Sequence, residues 1–195
     1  MRKITQRWTV WLSSLAAAAV LIVVLSAGTV FAEEYVSVAI GRRAAIDIMS
    51  REISAAMAPW KIPGPIRKGT EYSRHIWDAC EEYKVDPFLV AALICVESQG
   101  RVNAVTQNRV GLMQVDVEQN MAWITKHFPH INSVKTLMKA RYNVMVGTFA
   151  LSAARQGTRS EKRILFKYFG DEDEKRVEKI FDVRNRMNAA AAARF

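Results

Sequence analysis

One carboxylate stands apart because of what precedes it. Glu97 closes an uninterrupted apolar run, Phe88–Val96 (FLVAALICV). A carboxyl group at the end of such a run is partly withdrawn from water. Burial disfavours its charged form and raises its pKa. A carboxylic acid that stays protonated near neutral pH can protonate a glycosidic leaving oxygen. The same residues also fit a surface glutamate at a frayed helix end, and composition and periodicity leave both readings open.

Other chemistries find less support. His75, His127 and His130 are too scattered to ligate a metal together, and no Cys/His spacing matches a zinc site. There is no P-loop, no dinucleotide fingerprint and no GxSxG elbow. No cofactor and no metal are therefore expected. Most glycosidases use two carboxylates. No second acid stands out here, because Asp116 and Glu118 read as a solvated helix start.

The elements that must hold Glu97 are helical. Asp86 caps, and Pro87 opens, a helix that is apolar all round, the mark of a buried central helix. Gly100 is its natural stop. A helix over 71–84 precedes it, with Thr70 as N-cap and Ile76, Ala79, Cys80 and Tyr83 facing inward. Residues 102–111 read as a loop and 112–128 as partly helical. Further helices are expected over 134–155, 161–169 and 171–187, the last starting acidic and ending basic as the helix dipole favours. Alternating strand patterns are nearly absent. The fold class is all-α, with little or no sheet.

The chain has 195 residues, half of them hydrophobic, and a formal net charge of +9. Residues 1–32 carry Arg2, Lys3 and Arg7, then 25 residues without a charge from Trp8 to Ala32. This is the pattern of a signal peptide cleaved after Val30-Phe31-Ala32. It is also long enough for a retained inner-membrane anchor, since about 20 residues span a bilayer. Both readings export the rest to the periplasm or cell envelope. Without residues 1–32 the charge is 25 basic against 19 acidic, or +6. A basic surface suits an anionic polymer or membrane, and export argues against nucleic acid.

Residues 33–65 form an N-terminal amphipathic helix and linker. Ile46, Met49, Ile53, Met57 and Trp60 give one apolar stripe, facing the main domain by default and otherwise a membrane surface or a partner. Ile62-Pro63-Gly64-Pro65 breaks the helix. The main domain covers 66–187, and 188–195 is an Ala-rich tail expected to fray. Cys80 and Cys95 are read as two buried free thiols, about one helical turn out of register for a disulfide.

The segment VDPFLVAALICVESQGRVNAVTQNRVGLMQV, residues 85–115, resembles the soluble lytic transglycosylase (SLT) family, which has a goose-lysozyme-like catalytic domain. The likeness rests on Glu97-Ser98, Asn103-Ala104 and Gly111-Leu112-Met113-Gln114. Asn143 and Gly147 match an Asn-x-x-x-Gly helix, and Tyr168 and Gly170 match an Ala-Tyr-Asn-Gly segment. It covers about residues 70–185.

This resemblance implies a lyase cutting peptidoglycan glycan strands, with Glu97 as general acid and then general base. The C6 hydroxyl of N-acetylmuramic acid would attack its own C1, giving a 1,6-anhydro end without water. Ser98 would orient the acetamido sugar. Gln114 and the Met113 backbone would line the groove, Asn143 would support its architecture, and Tyr168 would face the carboxylate. Phe169 stands where the family has Asn, and Lys167 where it has Ala. Arg109 adds positive charge by the cleft, to meet the acidic peptide stems or simply to be solvated. A non-catalytic glycan-binding assembly protein on the same fold is the alternative. The short domain and N-terminal segment also suit a local enzyme of a secretion, conjugation or appendage machine.

Overall fold

The computed structural model describes residues 39–194. The segment 1–32, read as signal peptide or anchor, and residues 34–38 of the expected N-terminal helix lie outside the described residues. Among those described, no helix is long and apolar enough to cross a membrane.

Helix α1 (Arg42–Met57) starts after Gly41 and runs into a short 3-10 turn, Ala58–Trp60. Its buried face is Ala45, Ile48, Met49, Ile53 and Met57, and it packs on the main domain against α2, α3 and α8. Trp60, placed on that stripe by periodicity, is instead 47% exposed, because the 3-10 turn rotates it off the helix face.

Helix α2 (Pro65–Tyr83) begins six residues before the expected start. Pro65 occupies its first turn, where a missing N–H costs nothing, and Gly64 supplies the left-handed step before it. Thr70 is therefore inside the helix rather than capping it, and its hydroxyl bonds the Ile66 carbonyl. Helix α3 (Pro87–Glu97) follows the sequence pattern. Asp86 Oδ1 accepts from Phe88 N at 2.9 Å, and every residue from Pro87 to Cys95 is buried. Around α3 stand α1, α2 and α8.

The stretch read as a loop and the start of the next, read as partly helical, hold a small antiparallel sheet. Strands β1 (Val105–Thr106), β2 (Arg109–Val110) and β3 (Val115–Asp116) pair in that order, with Thr106 opposite Arg109 and Val110 opposite Val115. Two-residue strands are too short to leave an alternating pattern.

Helix α4 (Val117–His127) is capped by Asp116, whose Oδ1 accepts from Gln119 N at 3.0 Å. The single helix expected over 134–155 is two, α5 (Val134–Leu137) and α6 (Ala140–Ala154), with Lys139 extended between them. Helix α7 (Glu161–Phe169) ends at Gly170, and α8 (Glu174–Ala192) is capped by Asp173. The alanines expected to fray continue α8 to Ala192, and Ala191 is fully buried. Tertiary contact, not sequence complexity, decides that end. Arg184 ties three elements together by pairing with Asp86, at 2.7 Å, and with Glu161.

Cys80 and Cys95 are free and buried. Burial pushes the Cys80 thiol well above its ordinary range and Cys95 up to about 12. Neither is a nucleophile near neutral pH.

Candidate active site

Glu97 is the last residue of α3, and its side chain is 11% exposed. Desolvation by burial raises its pKa. Arg176 and Arg109 oppose that shift, while Asp171 and Asp173 add to it. The nearest cation is Arg176 on α8, whose Nε lies 3.7 Å from Glu97 Oε1. The same guanidinium reaches Asp171 at 3.1 Å and Asp173 at 3.6 Å. Both aspartates are exposed, and both are held by Arg176.

The segment 111–114 is clamped from two sides. Asn143, fully buried on α6, accepts from Met113 N at 2.8 Å and donates to the Val110 carbonyl at 3.0 Å. Tyr168, on α7, donates to the Met113 carbonyl at 2.9 Å. Burial and the nearby Glu97 charge push the Tyr168 phenol far up, so it remains a donor. Gly111 has φ +79°, and a Cβ there would lie 2.5 Å from Asn143 Cγ. Gln114 is buried with φ 51°, and its amide donates to the carbonyls of Gly111 (2.9 Å) and Ala104 (3.2 Å).

Gly147 lets α6 press on this segment. A Cβ there would lie 2.8 Å from Met113 Cβ and 2.5 Å from Met113 Sδ. Overpacking of this kind costs about 1–3 kcal/mol. Gly147→Ala is expected to melt at a lower temperature than wild type in a thermal scan. An unchanged melting temperature would show that Met113 can move aside.

The expected site residues divide between two hollows. Gln114 and Tyr168 line a groove of about 400 Å³, together with Arg109, Asn120, Trp123 and Phe149. Glu97 instead borders a second hollow of about 370 Å³ with Asp173, Lys175, Arg176 and Lys179. Phe169 lines the first hollow, and its ring meets two cations. The Arg176 guanidinium lies 4.7 Å from its ring centroid and that of Arg109 lies 6.0 Å away, while Arg109 also donates to the Phe169 carbonyl. Arg109 is thus a half-buried strut rather than a freely solvated charge.

Ser98 does not face either hollow. It is fully buried, and its hydroxyl donates to the Ile94 carbonyl, bracing the end of α3. The Met113 side chain is fully buried too, and its backbone is already bonded to Asn143 and Tyr168. Arg176 was missed by sequence reasoning. It sits in a charged run (DEDEKR) that reads as an ordinary helix start, and nothing in that run points to Glu97, far away in the chain.

Residues 75–190, more than half of the chain, match the family model described as Transglycosylase SLT domain. The chain belongs to this family. The SLT domain starts inside α2 and ends in α8, so α1 lies outside it. The chain is 30% identical over 107 residues to the endo-type membrane-bound lytic murein transglycosylase A of Salmonella paratyphi B, covering 51% of this chain and 50% of that protein. The proteins of the same name from Salmonella enteritidis and Salmonella typhimurium match equally well. The chain spans about half the length of these curated relatives.

Proposed function

We propose that this SLT domain is a lytic transglycosylase of the cell envelope, cutting the β-1,4 bond between N-acetylmuramic acid and N-acetylglucosamine in peptidoglycan. The observation that carries the reading is the placement of Glu97: a nearly buried carboxyl group at the end of α3, its pKa raised by burial, bordering a hollow at the protein surface. In the first step the Glu97 proton passes to the leaving oxygen as the C1–O bond breaks. In the second the Glu97 carboxylate takes the proton of the muramic acid C6 hydroxyl as O6 bonds C1. The acid is regenerated and no water enters. One carboxylate suffices, which fits the engagement of Asp171 and Asp173 by Arg176.

Purified murein sacculi digested with the protein and read by mass spectrometry should release fragments ending in 1,6-anhydro-muramic acid. Fragments heavier by one water would make the protein a hydrolase instead.

Arg176 sets the pH range. Its charge holds the Glu97 pKa down against the effect of burial. Arg176→Ala removes that opposition and leaves Asp171 and Asp173 unneutralised, so the pKa rises further. Glu97 must be protonated for the first step, so activity falls as pH rises through its pKa. The alkaline limb of the kcat/KM profile is expected to move to higher pH in the variant. A limb that stays in place would show that Arg176 does not act on Glu97.

A second reading has one observation in its favour. Phe169 stands in place of the family Asn, and Glu97 borders a different hollow from the groove that Gln114 and Tyr168 line. A glycan-binding protein without turnover would bind sacculi equally as wild type and Glu97→Gln and release nothing.

A further inference from the structure

Exposed large apolar side chains are few among the described residues, namely Trp60, Ile66, Val105 and Val134. Two of them lie six positions apart where α1 ends and α2 begins, Trp60 at 47% and Ile66 at 74% exposure. The same turn is basic. Residues 53–70 contain Lys61, Arg67 and Lys68 and no acid. Among the described residues none of these three cations has an ion pair with a carboxylate that would neutralise the turn.

The turn is also held rigid. Trp60 Nε1 donates to Gln99 Oε1, and the Arg101 guanidinium lies 3.8 Å from the Trp60 ring centroid. Pro59, Pro63 and Pro65 restrict the backbone on both sides of Lys61. Trp60 is thus fixed against the end of α3 with about half of its surface open, and Ile66 follows it in the chain as the most exposed large apolar side chain among the described residues.

We propose that the turn 58–68 docks on an anionic bilayer surface. Trp60 and Ile66 would enter the boundary between headgroups and acyl chains, and Lys61, Arg67 and Lys68 would meet lipid phosphates. Tryptophan favours that boundary because its ring is amphipathic. Basic side chains bury their stems in the interface and keep their charge at the headgroups. Anionic lipid attracts clustered Lys and Arg within about one Debye length, roughly 10 Å in moderate salt. The unpaired charge selects a lipid surface over an apolar protein partner, which would leave three cations at its rim without counter-ions. The surface is present whether residues 1–32 are retained or removed, and it does not depend on catalysis. Gln99 lies two residues beyond Glu97, so docking at Trp60 would hold the end of α3 near the membrane face.

The test uses the full chain in vesicles, with an environment-sensitive fluorophore on a single introduced cysteine. Ile66→Cys places it in the turn and Val134→Cys on a distant exposed site, while native Cys80 and Cys95 are buried. Expected is a blue shift at 66, with quenching by brominated acyl chains, in phosphatidylglycerol vesicles. The shift should be absent at 134, absent at 66 in phosphatidylcholine, and lost in the K61E/R67E/K68E background. Unshifted emission at 66 while the chain is vesicle-bound would overturn the proposal. So would an equal shift in both lipids, a shift at 134 as well, or a shift at 66 without vesicles, which would mean that another part of the protein covers the turn.

Discussion

Glu97→Gln is expected to lower the rate of strand cleavage by roughly 10²–10⁴-fold, the span of a general acid–base group, and to lower it toward the upper end. One group serves both steps here: glutamine cannot protonate the leaving oxygen, and it cannot take the proton from the C6 hydroxyl. Binding should survive, because shape and most contacts are kept. Stability should move the other way. The folded-state pKa of Glu97 lies above its ordinary value, so the folded chain holds this proton more tightly than the unfolded one. Stability from this group is therefore present at low pH and is lost as pH rises through the raised pKa. Near neutral pH the nearly buried charge costs stability, offset in part by Arg176 at 3.7 Å. Glutamine removes the cost, and Arg176 keeps Asp171 and Asp173. The variant should thus melt at or above the wild-type temperature near pH 7, with the gap closing at acid pH. Retained activity would show that Glu97 is not the acid. A lower melting temperature near pH 7 would make it a structural residue instead.

How much of this was legible beforehand depended on the range of the interaction. Local patterns read well. Asp86-Pro87 opens α3, nine apolar residues bury it, and Glu161–Phe169 is a helix as expected. The clamp on segment 111–114 and the path of Arg176 were not legible, because each joins residues distant in sequence. Thr70 shows the local limit. It has the right residue type for a cap, yet Pro65 nucleates the helix earlier and the threonine is absorbed. Ser98 shows the limit of transferring a role by motif. It stands in the Glu-Ser pair, but its hydroxyl turns back on α3. Phe169 was visible as a departure in sequence. That it would carry one guanidinium and approach another depends on Arg109 and Arg176 arriving from β2 and α8.

The second large effect is expected at Asn143, which touches neither the groove nor Glu97. Its side chain is the one link from α6 to the backbone of both Val110 and Met113, and it is fully buried. Asn143→Ala strands a buried N–H and a buried carbonyl, each worth about 1–3 kcal/mol when left unmet. A loss of about 3 kcal/mol corresponds to a fall of roughly 6–12 °C in melting temperature for a chain of this size. Activity measured well below that temperature should also fall, up to about 10²-fold, because misplacement on the scale of 1 Å can cost that much. The segment that would shift carries Gln114 and the carbonyl that receives Tyr168. Asn143→Asp separates scaffold from packing. It keeps size and the acceptor for Met113 N but turns an oxygen onto the Val110 carbonyl. Only the protonated acid can donate there, so burial and that carbonyl raise its pKa. Its stability should be near wild type at acid pH and be lost as pH rises, while Asn143→Ala stays low throughout. Melting curves of the two variants across pH decide it: if Asn143→Asp shows no recovery in acid, the bond to Val110 is not what holds the segment in place.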